Sequence, residues 1–341
     1  MILRLPEVIN VKDLFLTYAD GTKAVQGISF SINEGEFFGF LGPNGAGKST
    51  TIKILTTLLH KTGGNATVAG FDIERDAREI RKIIGVQSQD TSVDPELTGR
   101  ENMILEGNLQ QMHGKELEER VESLLNVVGL KEAADKRAGR YSGGMKKRLD
   151  LASTLVHKPK IMFLDEPTTG LDPQTRATVW DYLEELNKKE GITIFLTTQY
   201  LEEADRLCQR LCIVDGGMIV AQGTPAELKA EIGADAITIT MKDAQGKSDD
   251  SVRAKGRQIV QNLPAVTNIV DSGDGLTIYV KDGGYFIPDL VRAFDKSEIK
   301  LVSINLSTPT LDDVFLKHTG KRIRVEELQK QAPSMFARGR R

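Results

Sequence analysis

Residues 42–49 read Gly42-Pro43-Asn44-Gly45-Ala46-Gly47-Lys48-Ser49, which fits G-x-x-x-x-G-K-[ST], the phosphate-binding loop. The apolar run Phe37-Phe38-Gly39-Phe40-Leu41 before it reads as a buried strand. Thr50-Thr51-Ile52-Lys53-Ile54-Leu55 after it, with Leu58 and Leu59 beyond, has a helical pattern. Strand, glycine loop and helix form the context in which the motif works. Glycines let successive backbone N–H groups turn inward as an anion nest. The N-terminal end of the following helix adds its positive dipole. In that setting Lys48 supplies a full charge to the β- and γ-phosphates, and the Ser49 hydroxyl is a ligand for Mg2+.

Upstream, Val8 to Phe15 and Ile28 to Ile32 alternate apolar and polar residues, the pattern of an antiparallel layer split by the turn Ala19-Asp20-Gly21-Thr22. Tyr18 stands just before that turn. Downstream, Asn65 to Ala69 reads as one arm of a hairpin turning at Gly70-Phe71-Asp72, and Ile83 to Val86 as a short core strand. From Thr98 the pattern becomes helical: Thr98 with Glu101 fits a capping box, and Leu117, Val121, Leu124, Leu125 and Val128 mark one face of a second helix. Tyr141-Ser142-Gly143-Gly144-Met145 opens a third helix that reaches Leu155, and its glycines offer N–H groups as a second anion site. About 90–160 is therefore a helical insertion in an α/β domain.

Ile161-Met162-Phe163-Leu164-Asp165-Glu166 is an apolar strand ending in two carboxylates. On a parallel strand buried on both faces such an end opens on the ligand crevice. Asp165 is placed to hold the Mg2+ shell and Glu166 to polarise a water. Asp172-Pro173 starts another helix, Ile192 to Thr197 is a core strand ending near Gln199, Glu202 to Cys208 is helical, and Leu211 to Ala221 closes a hairpin. A helix from Thr224 ends near Ile232. Beyond Gly233 the order strand, helix, strand, turn at Ser272-Gly273-Asp274-Gly275, strand, helix, strand suits a ferredoxin-like module without a catalytic cluster. A last helix starts at Thr310, and the charged tail 319–341 reads as a solvated end.

The totals fit this reading. At 341 residues the chain is long enough for two domains, with ordinary shares of 40% hydrophobic and 27% charged residues. A net charge of −3 argues against a broad nucleic-acid surface. No apolar stretch reaches the ~18 residues that span a bilayer, and charged residues interrupt the start where a signal peptide would carry its apolar core. A cytoplasmic protein, held at the membrane through another subunit, is expected. Cys208 and Cys212 are the only cysteines, and buried apolar positions suit them better than a disulfide or a zinc site.

With the phosphate loop, Tyr141 to Met145 and Leu164-Asp165-Glu166 in this order, residues 6–232 resemble the ATP-binding subunit of an ABC transporter. The resemblance implies a P-loop α/β fold: a RecA-like core, an antiparallel β layer and a helical subdomain. It implies domains at 1–232 and 233–318, the second a small α+β accessory module. It gives Tyr18 the role of stacking on adenine. Gly42, Pro43, Asn44, Gly45, Ala46, Gly47, Lys48, Ser49 and Thr50 become the ATP phosphate site, and Gln89 the glutamine that senses Mg2+ and couples to the membrane subunit. Ser142, Gly143, Gly144 and Met145 match the signature motif that binds the γ-phosphate on the opposite protomer, Glu166 the catalytic base, and Asp172 the loop that crosses the dimer interface. The implied assembly is a head-to-tail dimer with two ATP molecules, docked on a separate transmembrane permease and not on nucleic acid.

One position departs from the family pattern. Gln199 stands where a histidine is usual, and a neutral amide donates a hydrogen bond but carries no proton at physiological pH. Thr198-Gln199-Tyr200-Leu201-Glu202-Glu203-Ala204-Asp205, Leu97 to Asn102 and Leu311-Asp312-Asp313-Val314-Phe315 resemble the daunorubicin-resistance branch of antibiotic exporters. A multidrug or lipophilic cargo is the expectation. The alternatives are a soluble ABC ATPase acting on ribosomes or DNA, disfavoured by the single phosphate loop, and a nucleotide-switch regulator without hydrolysis, disfavoured by Glu166.

Overall fold

The computed structural model describes residues 6–320 apart from 234, 244, 245, 247, 248, 273, 274 and 298. β1 (Glu7–Thr17) and β2 (Lys23–Asn33) pair antiparallel. Their buried faces change parity midway: Ile9 and Val11 give way to Leu14 and Leu16, and Val25 to Ile28, Phe30 and Ile32. Extra residues at Asp13 (φ 47°) and Gly27 (φ 76°) make the change, and the ladder register shifts beside them.

β3 (Phe37–Leu41) leads through the glycine loop into α1 (Lys48–Leu55). β4 (Gly63–Val68) and β5 (Phe71–Asp72) complete an antiparallel sheet in the order β2-β1-β4-β5. Here the structure differs from the sequence expectation. Ala69 and Gly70, with φ of 51° and 81°, make the turn, and Phe71-Asp72 is the return strand. α2 (Ala77–Ile83) was not foreseen; only Ile80 of its seven residues is buried, so it has no apolar stripe to read.

The central sheet adds β6 (Ile84–Gln87), β7 (Ile161–Asp165), β8 (Thr193–Thr198), β9 (Arg210–Asp215) and β10 (Met218–Gly223), in the order β10-β9-β3-β8-β7-β6. All neighbours are parallel except the β9–β10 hairpin. Every residue of β3, β7 and β8 is buried, which is why they read as apolar runs rather than alternation. Phe195 of β8 lies against Phe30, Phe38, Phe40 and Phe163 with ring centroids 5.5–6.0 Å apart. Cys208 and Cys212 are buried and free, and burial pushes the Cys212 thiol up to about 12.

The helical segment comprises α3 (Gly99–Leu109), α4 (Gly114–Val127) and α5 (Gly143–Ser153). Thr98 and Glu101 form the expected capping box. α5 stops two residues short of Leu155. α6 (Pro173–Glu190) starts at the Asp172 cap, and α7 (Leu201–Leu207) and α8 (Pro225–Ala230) follow.

Contacts divide the chain into two units between Pro225 and Ala226, ahead of Gly233. The second contains β11 (Asp235–Lys242), α9 (Asp250–Gln261), β12 (Val266–Ser272), β13 (Gly275–Val280), α10 (Gly283–Asp295), β14 (Lys300–Ser307) and α11 (Leu311–Thr319). Its antiparallel sheet runs β12-β13-β11-β14, the split β-α-β order of a ferredoxin-like module. It has its own core, centred on Ile237, Ile239, Ile278, Leu290 and Phe294. Gly273-Asp274 of the expected turn and the tail from Lys321 lie outside the described residues.

Phe195→Ala removes the ring that four others share. Destabilisation of the first unit by about 3–5 kcal/mol is expected, to be read from chemical denaturation.

Candidate active site

The loops at 42–47, 88–98, 166–172 and 199–200 all leave the C-terminal edge of the parallel strands. The phosphate loop is held there from several sides. Gly42 N–H donates to Thr198 O (3.1 Å), Gly217 N–H donates to Ala46 O (3.1 Å), and Gln26 N–H fixes Gly217 through its carbonyl (2.8 Å). Gly47 needs to be glycine twice over: its φ is 97°, and a Cβ would come 2.3 Å from Ala24 O. It caps α1 with no side-chain hydrogen bond, so the first N–H groups of that helix keep their donor capacity for an anion.

Lys48 is the first residue of α1 and is 4% exposed. Its Nζ donates to Gly42 O (2.7 Å) and Pro43 O (3.0 Å) and pairs with Glu166 Oε1 at 3.1 Å. Burial lowers the lysine's pKa and the Glu166 charge opposes that shift. Glu166 is likewise 4% exposed, takes a bond from the Thr169 hydroxyl (3.3 Å), and sits at φ 50°. Its N–H donates to Thr197 O at 3.1 Å. Ser49 Oγ donates to Asp165 Oδ1 (3.0 Å), and Thr197 Oγ1 donates to the same oxygen (2.6 Å). Four residues from the start of α1 and the end of β7 thus converge: Lys48, Ser49, Asp165 and Glu166.

Ser49 and Asp165 offer hard oxygens already in contact. That is a donor set Mg2+ accepts, since it takes one or two protein oxygens and completes its shell with phosphate and water. Among the described residues no group of three His, Cys, Asp or Glu side chains gathers to form an all-protein cage.

Tyr18 is 38% exposed, and its hydroxyl is 3.1 Å from Thr50 Oγ1 on the phosphate-loop helix. The ring therefore stands partly exposed beside the loop. Gln199 is 5% exposed at the end of β8, and its amide makes no hydrogen bond among the described residues. Asn44 and Gly45 are exposed at the loop's tip.

Other expected residues lie apart from this cluster. Ser142 caps α5 by accepting from Met145 N–H (3.2 Å), and Asp172 caps α6 by accepting from Thr175 N–H (3.0 Å) and the Thr175 hydroxyl (2.6 Å). A Cβ on Gly144 would lie 3.3 Å from Thr175 Cγ2, so the two caps are neighbours. Neither bonds to Lys48, Ser49, Asp165 or Glu166. Gln89 is exposed; its carbonyl, not its side chain, is engaged, accepting from Lys147 Nζ at 2.6 Å.

Three participants escaped the sequence reading. Thr197 shares Asp165 with Ser49. Asp150 accepts from Ser92 N–H (3.0 Å) and hydroxyl (2.7 Å), and with Lys147 it ties α5 to the Gln89 loop. Glu203 is buried beneath the loop that follows Glu166. A signal existed for it: Glu203 occupies the inward stripe of α7 with Ala204 and Leu207.

A family model described as ABC transporter matches residues 25–169, and one described as the DrrA1-3-like ATP-binding protein C-terminal domain matches residues 223–319. The chain is 41% identical to the daunorubicin resistance ATP-binding protein DrrA3 of Streptomyces coeruleorubidus, over 89% of this chain and 94% of that protein. It is 40% identical to the Nod factor export ATP-binding protein I of Burkholderia lata, over 87% and 92%. Among solved structures, the dimeric post-hydrolysis ATP-binding cassette MJ0796 bound to ADP and Pi matches with a TM-score of 0.59 at 28% identity, covering 63% of this chain and 98% of that one. CbiO1 of Clostridium perfringens, part of the ABC transporter complex CbiONQ, matches with a TM-score of 0.60 at 28% identity, covering 76% and 96%. The fold, the phosphate loop and these likenesses agree: the chain belongs to the ATP-binding subunits of ABC transporters, enzymes that hydrolyse ATP.

Proposed function

We propose that this subunit drives an export permease carried on separate chains, moving a drug-like or lipophilic cargo, with Mg2+ serving its ATP chemistry. The observation that supports the reading best is the convergence of Lys48, Ser49, Asp165 and Glu166 at the sheet edge. The loop amides and Lys48 bind the phosphates. Ser49 and Asp165 would hold the metal, which supplies charge neutralisation on the phosphate oxygens, and Gln89 joins them from its loop. Glu166 takes a proton from the attacking water. Lys48 and Glu166 are paired, so a phosphate that draws Lys48 to itself frees the carboxylate for that task. The likeness to DrrA proteins and a Nod factor export protein supports the export direction.

In this reading Ser142, Gly143, Gly144, Met145 and Asp172 serve the site of a second copy. Their place is consistent with that: Ser142, Gly143 and Asp172 are exposed, Gly144 and Met145 half-buried, and the two caps bond within their own helices rather than to Asp165 or Glu166. Among the described residues no helix is long and apolar enough to cross a membrane, and in this reading the path for cargo belongs to another chain. The surface that suits that chain is a cleft of about 330 Å3 whose lining includes Leu58, Val86, Ser88 and Gln110. Leu58 is 61% exposed, and Leu109, next to Gln110 in sequence, is 69% exposed. The cleft reaches the loop that carries Gln89, which gives a membrane partner access to the site. We place the subunit on the cytoplasmic face of the membrane.

Glu166→Gln should leave ATP binding intact and slow hydrolysis by roughly 10²–10⁴. With ATP and Mg2+ it should run as a dimer in gel filtration; a mutant that hydrolyses at the wild-type rate removes Glu166 as the base. Tyr18→Ala should weaken ATP affinity about 5- to 150-fold, the equivalent of roughly 1–3 kcal/mol of stacking; an unchanged dissociation constant makes Tyr18 a packing residue. Gln199→His should keep much of the activity and add an ionisation between roughly pH 6 and 8. Gln199→Ala should lose a contact to the charged γ-phosphate worth roughly 1.5–3 kcal/mol. Rate–pH profiles of the three forms decide it, and full activity in the alanine form takes Gln199 out of the site.

A further inference from the structure

We propose that Glu203 is a positioning residue for hydrolysis, holding the loop from Glu166 to Asp172 in register with Gln199. The proposal rests on the roles given above to those three residues. The Glu203 side chain has no exposed surface. Its Oε1 accepts from the Thr168 hydroxyl at 2.7 Å and from Trp180 Nε1 at 2.9 Å. Its Oε2 has no hydrogen-bond partner among the described residues.

One oxygen atom therefore joins three pieces of the site. Thr168 lies in the turn whose backbone closes from Thr169 N–H to Glu166 O (3.2 Å) and from Leu171 N–H to Thr168 O (3.2 Å). Thr169 also binds the Glu166 carboxylate, so the placing of Thr168 is felt by the base on one side and by Asp172 on the other. Trp180 stands on α6, the helix that Asp172 caps. Glu203 itself is in the first turn of α7, which starts just after Gln199. A second link runs beside the first: the Arg176 guanidinium lies 4.3 Å from the centre of the Tyr200 ring and donates to Leu171 O at 3.5 Å. A shift of Gln199 on meeting a phosphate would move the start of α7 and, through Glu203, the turn that carries Glu166.

Chain packing alone does not call for an acid here. Burying a carboxylate costs several kcal/mol unless it is paired, whereas an apolar side chain of similar length would fill the same space. Burial raises the Glu203 pKa, opposed by the neighbouring Thr198, Thr168 and Trp180 side chains and the more distant charge of Arg176. Retaining so costly a group within reach of the base's loop points to a task in turnover.

The test uses the full chain with ATP and Mg2+. Glu203→Met removes the shared acceptor and should lower kcat roughly 10- to 100-fold while the dissociation constant for ATP stays as it was. Thr168→Val, nearly isosteric, should lower kcat in the same direction, and the double variant should be no slower than Glu203→Met alone. Glu203→Gln, which keeps the acceptor, should restore most of the rate. Thr168→Val carries the test on its own if Glu203→Met fails to fold. Wild-type kcat in Thr168→Val, or effects of the two substitutions that multiply, overturns the proposal. An active Glu166→Gln enzyme would overturn the base assignment instead, and the Glu203–Thr168 cycle would still be measurable.

Discussion

The Lys48 ammonium and the Glu166 carboxylate lie 3.1 Å apart with each side chain 4% exposed, and two charges survive such burial only where other groups replace the water they lose. For Lys48 those groups are the Gly42 and Pro43 carbonyls, for Glu166 the Thr169 hydroxyl. The carbonyls point inward because the loop curls, and the loop keeps its curl because Thr198 and Gly217 hold its two ends. Gly217 is in turn tied to Gln26 of β2, so the antiparallel layer and the hairpin at the far side of the sheet both serve the pair. The wholly buried strands β3, β7 and β8 supply the rigid edge on which this rests.

Much of this was legible in the sequence, for reasons that differ by region. The phosphate loop declares itself because only certain residues can make a nest with a lysine behind it. β3, β7 and β8 declare themselves because a strand buried on both faces has to be apolar throughout. Asp172 was legible as a helix cap, and the ferredoxin-like order followed from the order of strand and helix patterns. α2 was hidden because it buries one residue, and the β4–β5 turn because Ala69 adopts a positive φ that sequence rules reserve for other residues. Thr197 and Glu203 were hidden for a different reason. Their partners, Asp165 and Thr168, are more than thirty positions away in the chain, and no local pattern reports a contact of that range.

The same distinction separates what this chain holds from what it offers. Lys48, Ser49, Asp165 and Glu166 are bound to one another within a single chain. Ser142 and Asp172 bond only to the first turns of their own helices and face outward. A cap of that kind is locally complete, which lets it be presented to another molecule without leaving a buried polar group unsatisfied. The network of Lys147, Asp150 and Ser92 joins the Ser142 helix to the Gln89 loop, so what happens at one is mechanically available to the other.

Glu166 occupies the left-handed region at φ 50°, where a residue with a Cβ is strained by about 1–3 kcal/mol. The strain has a bearing on how such a protein responds to selection. A glycine or asparagine at this position would relax the backbone but leave the buried Lys48 ammonium without its partner, a loss of about 3–5 kcal/mol that exceeds the strain relieved. Selection for heat resistance alone therefore has no easier residue to offer at position 166, and a thermostable lineage has to find its extra stability somewhere else in the chain.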